Sequence, residues 1–124
     1  MGLFYRTYLE GPSIVFGCSE CGAHLATSEA IISSQFRGQH GPAFLFEKVV
    51  NIIFGKAEDR DMTTGLHKVR DISCIQCSKM LGWTYVKAYN AENRYKEGKF
   101  ILERKLFKDL SSKANLGSIE NTFE

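Results

Sequence analysis

The chain has 124 residues, of which 44% are apolar and 24% charged, with a formal charge of +2 at neutral pH. This is the composition of one globular domain with a modest core, and it excludes a disordered chain or a strongly basic arm for nucleic acid. No stretch approaches the ~18 apolar residues of a membrane-spanning helix.

The opening, "MGLFYRTYLEG", has no apolar run of signal-peptide length and no small-residue cleavage site. Arg6 stands where myristoylation after Gly2 requires Ser or Thr. The chain reads as soluble and intracellular, cytoplasmic and nuclear. Residues 1–13 form an N-terminal segment ahead of a domain expected over 14–107.

A brief β-branched run, Ile14 to Phe16, leads into the first cysteine. "TSEAIIS" at 27–33 is ambiguous and suits a short helix capped by Thr27 or Ser28. "AFLFEKVVNIIF", bounded by Gly41-Pro42 and Gly55, reads as two adjacent strands or one bent strand. "GLHKVRDISC" and "LGWTYVKAY" are strand-like and flank the second cysteine pair, residues 90–96 suit one helical turn, and "GKFILERKLF" ends the apolar sequence. Without a long crossover helix these strands must pair antiparallel, so the class is mostly β. From Lys108 the Ser, Asn and Gly of "KDLSSKANLGSIENTFE" predict a flexible tail over 108–124.

All four cysteines fall in one pattern: Cys18-x2-Cys21, 52 residues, then Cys74-x2-Cys77. A disulfide framework needs an oxidising compartment, for which there is no secretion signal. A thioredoxin-like pair needs one motif at a helix start, whereas here two copies sit beside strands. Two chelating turns that together supply four thiolates fit a structural tetrahedral zinc, one per chain. Gly22 supplies the conformational freedom such a turn needs after Cys21. Four thiolates on one divalent ion would also cancel the formal +2.

His24 lies three residues beyond Cys21 but is surplus to a filled site, while His40 and His67 have no ligand spacing. Glu58, Asp59 and Asp61 read as a solvated charge run. A four-sulfur zinc leaves no open position for water or substrate. The chain also lacks G-x-S-x-G, a phosphate-cradling glycine loop and H-E-x-x-H. No catalytic residue is expected, and the protein is read as not an enzyme.

The segments "GCSECGAHLA", "FRGQHGPAFLFEKVVNI", "EDRDMTTGLHKVRDISCIQC", "LGWTYVKAY" and "RYKEGKFILE" closely resemble the Yippee-like proteins from about Phe16 to Glu103. The "MGL" start and "FILERKL" end resemble the branch that includes the fifth vertebrate Yippee-like protein and its fungal counterpart. The resemblance implies a β-tent, two antiparallel sheets pinned by one structural four-cysteine zinc site. In cereblon, which has a similar domain, the tent carries three tryptophans that cage a cyclic imide. Only Trp83 matches that cage here, since the other two positions fall near Thr63 and Val69.

Trp83 is read first as a core residue packing over the second knuckle. The alternative is a ligand or partner pocket lined by Trp83, Phe44, Phe46 and Tyr85. The branch further implies an accessory subunit of a GID/CTLH-type ubiquitin ligase. The expected function is thus a zinc-binding interaction module with ubiquitin ligase subunits as partners. The alternatives are a small-ligand or modified-residue reader using Trp83, and a zinc-ribbon-like chromatin or nucleic-acid-associated protein.

Overall fold

Short apolar runs between turns, together with the charged run at 58–62, give ten strands in the computed structural model, which describes residues 14–110. They are β1 (Val15–Cys18), β2 (His24–Thr27), β3 (Ile31–Gly38), β4 (Gly41–Phe46), β5 (Ile52–Phe54), β6 (Glu58–Met62), β7 (Gly65–Cys74), β8 (Met80–Ala88), β9 (Phe100–Glu103) and β10 (Phe107–Asp109). Every pairing is antiparallel. The expectation of a mostly β, two-sheet fold is met. Among the described residues no helix is long and apolar enough to cross a membrane.

One sheet has three strands in the order β10-β1-β2. The larger follows β3-β4-β9-β8-β7-β5, and β6 also pairs with β7. The long β7 is shared along its free edge: β6 takes residues 65–69 and β5 takes 72–74. "AFLFEKVVNIIF" therefore splits into two strands, β4 and β5, which lie in one sheet but are not neighbours. The two ambiguous segments are short 3-10 helices, one turn at Ser28–Ala30 and two turns at Ala91–Lys96. Thr27 holds the cap position of the first without a side-chain capping bond.

Alternation along each strand of the large sheet sends its side chains to two different places. On one face Phe46, Ile72, Cys74, Leu81 and Leu102 join Phe16, Cys18, Leu25 and Phe107 of the small sheet in one buried cluster. Phe16, Phe46 and Phe107 meet edge to face there, with centroids 5.0–6.0 Å apart. Such aromatic pairs contribute about 0.5–1.5 kcal/mol each beyond burial. On the other face Ala43, Leu45, Val69, Trp83, Tyr85 and Ile101 form a second cluster. The cross-strand register keeps the faces distinct: Ala43 opposes Glu103, Leu45 opposes Ile101 and Ile101 opposes Trp83.

The expected tail boundary needs moving. Lys108 and Asp109 belong to β10 and pair with Gly17 and Phe16. Leu110 continues this pairing by donating its amide to the Val15 carbonyl at 2.8 Å. The isolated apolar residues of this segment are enough because β1 offers an open edge. The remainder of the expected tail, 111–124, and the N-terminal segment, 1–13, lie outside the described residues.

Candidate metal centre and an aromatic cavity

The two cysteine pairs occupy two copies of the same turn. In the first, between β1 and β2, Gly22 donates its amide to the Cys18 carbonyl at 2.8 Å and Cys18 donates to Ala23 at 2.9 Å. In the second, between β7 and β8, Ser78 donates to Cys74 at 2.8 Å and Cys74 donates to Lys79 at 2.8 Å. The first turn belongs to the small sheet and the second to the large one. A metal held by both would therefore fasten the sheets together.

The four Sγ atoms all lie within 4.8 Å of one another. Cys18 and Cys77 are 3.6 Å apart, and Cys21 and Cys74 are 3.5 Å apart. These contacts are far longer than a disulfide, and the cysteines are free. A tetrahedral zinc with bonds of ~2.3 Å requires sulfur edges of about 3.8 Å, so the donor set fits such an ion. The Gln76 amide also points at the Cys74 sulfur, at 3.4 Å, where it would support a thiolate.

The electrostatics of the cluster favour a cation among the sulfurs. Burial pushes the Cys74 thiol up to about 12 and also raises Cys77. At Cys21 burial acts in the same direction, but the bond to the Ala23 backbone and the neighbouring sulfurs outweigh it, and its pKa is lowered. Cys74 and Cys77 therefore resist ionisation without a cation beside their sulfurs. A divalent ion held by these four sulfurs would displace their protons.

The histidines stand outside this cluster, as expected. The His24 carbonyl accepts from Asn51 Nδ2 at 2.7 Å. His40 donates through its amide and Nδ1 to Glu103 Oε1, at 2.7 and 3.0 Å. Buried His67 donates from Nδ1 to the Gly65 carbonyl at 2.9 Å. The acidic run forms β6: Arg60 pairs with Glu58 and Asp71, and Asp59 accepts from the Tyr89 hydroxyl at 2.8 Å. It is a solvated strand, as the sequence implied.

A cavity of about 700 Å³ lies over the second face of the large sheet. Trp83 and Tyr85 line it, together with Phe36, Met62, Tyr95 and Lys96. Phe44 and Phe46 do not, and the expected four-residue pocket is corrected on this point. They point from β4 to the opposite face, where Phe46 is fully buried and both rings pack within 6 Å of Phe107.

Trp83 is 9% exposed but packs with Val69, Tyr85 and Ile101 in the cluster remote from the cysteines. It is thus a core residue and a cavity wall, not a lid over the knuckle. Of the two other cage positions, Thr63 borders the cavity and Val69 is buried beneath it. Burial raises the Tyr85 pKa; the Trp83 indole N–H lies near enough to oppose this, yet makes no hydrogen bond of good geometry. Lys96, Phe36 and Glu103 were not singled out from the sequence. Lys96 sits in a polar turn that gives no sign of burial until the 3-10 turn folds it inward.

A family model described as "Yippee zinc-binding/DNA-binding /Mis18, centromere assembly" matches residues 14–121. A yippee-like protein of Solanum tuberosum is 47% identical over 104 residues, covering 84% of this chain and 79% of the relative. A putative yippee-like protein of Oryza sativa is 53% identical over 95 residues, 76% of this chain and 80% of that one. Yippee-like protein 4 of Homo sapiens is 46% identical over 99 residues, 80% and 78% of the two chains. The crystal structure of the Mis18 "Yippee-like" domain shares the fold with a TM-score of 0.63 at 14% identity, covering 88% of this chain and 99% of the other. With the matched residues spanning both cysteine turns and both sheets, this chain belongs to the Yippee-like family.

Proposed function

We propose that this chain is a non-enzymatic interaction module whose single zinc, held by Cys18, Cys21, Cys74 and Cys77, fixes one sheet against the other. The observation that carries this reading is the convergence of four sulfurs from two matching turns. Four sulfurs fill a tetrahedral shell, so the metal has a structural task and no vacant position for a substrate. A rigid frame then presents its loops and its cavity face to a partner.

The partner we propose is a GID/CTLH-type ubiquitin ligase, with the chain as an accessory or adaptor subunit acting in the cytoplasm and nucleus. This rests on the resemblance of "MGL" and "FILERKL" to the ligase-associated branch. Affinity purification of the tagged chain followed by mass spectrometry tests it, and ligase subunits are the expected recovery. Recovery of chromatin proteins in a nuclease-sensitive manner would instead favour the nucleic-acid reading. Against that reading, basic side chains are interleaved with acids in ion pairs such as Lys68–Asp59 and Lys99–Glu47.

A second reading, a reader of a small ligand or side chain, is favoured by one observation. The cavity is of ligand size and is walled by Trp83, Tyr85 and Phe36. The two readings are compatible, since an adaptor needs a surface by which to recognise something.

A further inference from the structure

Lys96 is the anomaly of the cavity. It is 2% exposed, and its Nζ donates one hydrogen bond, to Thr64 Oγ1 at 3.0 Å. An ammonium carries three donors, and Lys96 forms no ion pair among the described residues. The rings of Phe36, Tyr85 and Tyr95 surround it, with Nζ 5.3, 5.4 and 6.0 Å from their centroids. A buried cation without a counter-charge is costly, and aromatic faces offset only part of that cost.

The other cations and anions around the cavity are differently placed. Arg60 is engaged by Glu58 and Asp71, and Glu103 by His40. Arg37 and Asp61, both exposed to solvent, complete the charged lining, which holds three basic and three acidic side chains. The field of the cavity as a whole is therefore balanced, and the attraction is local to Lys96. A dianion such as phosphate gains little there, whereas one compact negative charge meets one ammonium that lacks a counter-charge. Next to Lys96 the wall is apolar and aromatic, and the Trp83 N–H has no partner.

We propose that this cavity binds a ligand with an apolar or aromatic body and a single carboxylate, the carboxylate pairing with Lys96 and the body packing against Trp83 and Tyr85. The inference rests on the cavity reading given above as the second function and names its ligand chemistry. A free carboxylic acid and the C-terminal carboxylate of a protein share that chemistry. Burial lowers the Lys96 pKa, which an incoming carboxylate would reverse.

Trp83 is the sole tryptophan, so its fluorescence reports from the cavity wall. The zinc-loaded full chain is titrated with 3-phenylpropionate and, separately, with uncharged 3-phenylpropionamide. A second pair is the acetylated peptide Gly-Gly-Phe with a free or an amidated C-terminus. Saturation-transfer NMR on the same ligands runs in parallel. Each acid should bind at least about tenfold more tightly than its amide, the effect of one hydrogen-bonded charge. Lys96→Met should abolish that preference and Lys96→Arg should keep most of it, with both variants checked by thermal melt. Tighter binding of the peptide acid assigns protein C-termini as the source; tighter binding of phenylpropionate assigns a free acid.

Equal binding of acid and amide would overturn the carboxylate selection and leave the cavity reading standing. Binding of neither would sink both. A folded Lys96→Met chain that still prefers the acid would remove Lys96 from the account. Should that variant fail to fold, the acid–amide comparison on the unaltered chain decides alone.

Discussion

Gly22 and Ser78 hold equivalent places in the two metal turns: each has positive φ, 79° and 68°, and each donates its amide at 2.8 Å to the carbonyl of the first cysteine of its pair. A non-glycine residue in that region costs roughly 1–2 kcal/mol. No atom lies within 4 Å of a Cβ built on Gly22, so Gly22→Ala should cost about that much from backbone strain alone. Ser78→Gly should match or exceed the parent, with the gain limited to about 1 kcal/mol by the freer unfolded chain. Melts of the zinc-loaded proteins check both; a Ser78→Gly protein distinctly less stable than the parent would show that the serine hydroxyl matters more than the strain.

The metal site predicts its own removal. Protein purified without added metal should carry close to one equivalent of zinc by plasma mass spectrometry. Cys74→Ser should lose it and unfold or aggregate. Structural zinc sites contribute about 10–16 kcal/mol in small peptide systems, whereas a whole domain is stable by only about 5–15 kcal/mol. Protons compete with the metal for the sulfurs, so acidification should release zinc and chelation at neutral pH should mimic it. A soluble Cys74→Ser protein with an unchanged melting temperature would count against a structural site.

Gly82 is required by packing and not by its backbone angle. A Cβ built there would sit 1.9 Å from the Ile101 carbonyl oxygen, in the β8–β9 ladder. No side chain can rotate away to make room, because the obstacle is backbone. Gly82→Ala should therefore cost about 3 kcal/mol or more, the upper range for overpacking. A melt within a degree or two of the parent would mean that β8 and β9 can separate without loss.

The four sulfurs and the mostly antiparallel β class were legible because spacing and turn residues are local signals. Gly22 was legible for the same reason, but Ser78 was not, since nothing in "CSKM" distinguishes a strained serine from an ordinary one. The pairing of Phe44 and Phe46 with Trp83 failed for a different reason. Aromatic character is visible in sequence, but which face of the sheet each ring takes depends on the register of β4 against β9 and of β9 against β8. Lys96 and Glu103 escaped for the same non-local reason. Their burial comes from segments far away in the chain, such as Thr64 for Lys96 and His40 for Glu103.

Truncation separates the expected tail from the observed strand. A chain ending at residue 107 loses the Lys108 and Asp109 pairings with β1 and the amide bond from Leu110 to Val15. It also loses the Leu110 side chain, whose Cδ1 lies 2.6 Å from a Cβ built on Gly17 and so covers that glycine. A chain ending at residue 110 keeps all of these. The longer truncation product should be the more stable, by about 1–2 kcal/mol for one half-buried leucine and its ladder bonds. Coincident denaturation curves would restore the tail boundary at 108.

Trp83 joins stability to recognition, and its two substitutions should part them. Trp83→Ala removes a large buried ring from the cluster with Val69, Tyr85 and Ile101, at a cost of ~3–5 kcal/mol. The ring already borders a cavity, so the lower end of that range applies, and the fold should suffer before binding can be judged. Trp83→Phe keeps most of the apolar area and breaks no protein hydrogen bond, because the indole N–H makes none. It should stay folded, within about 2 kcal/mol of the parent, while altering the shape of the cavity wall. A thermal melt beside a partner pull-down reads both. If Trp83→Phe is folded and binds its partner normally while Trp83→Ala fails only through unfolding, Trp83 is core alone; if Trp83→Phe is folded and binding is lost, the cavity wall is the recognition surface of this tent.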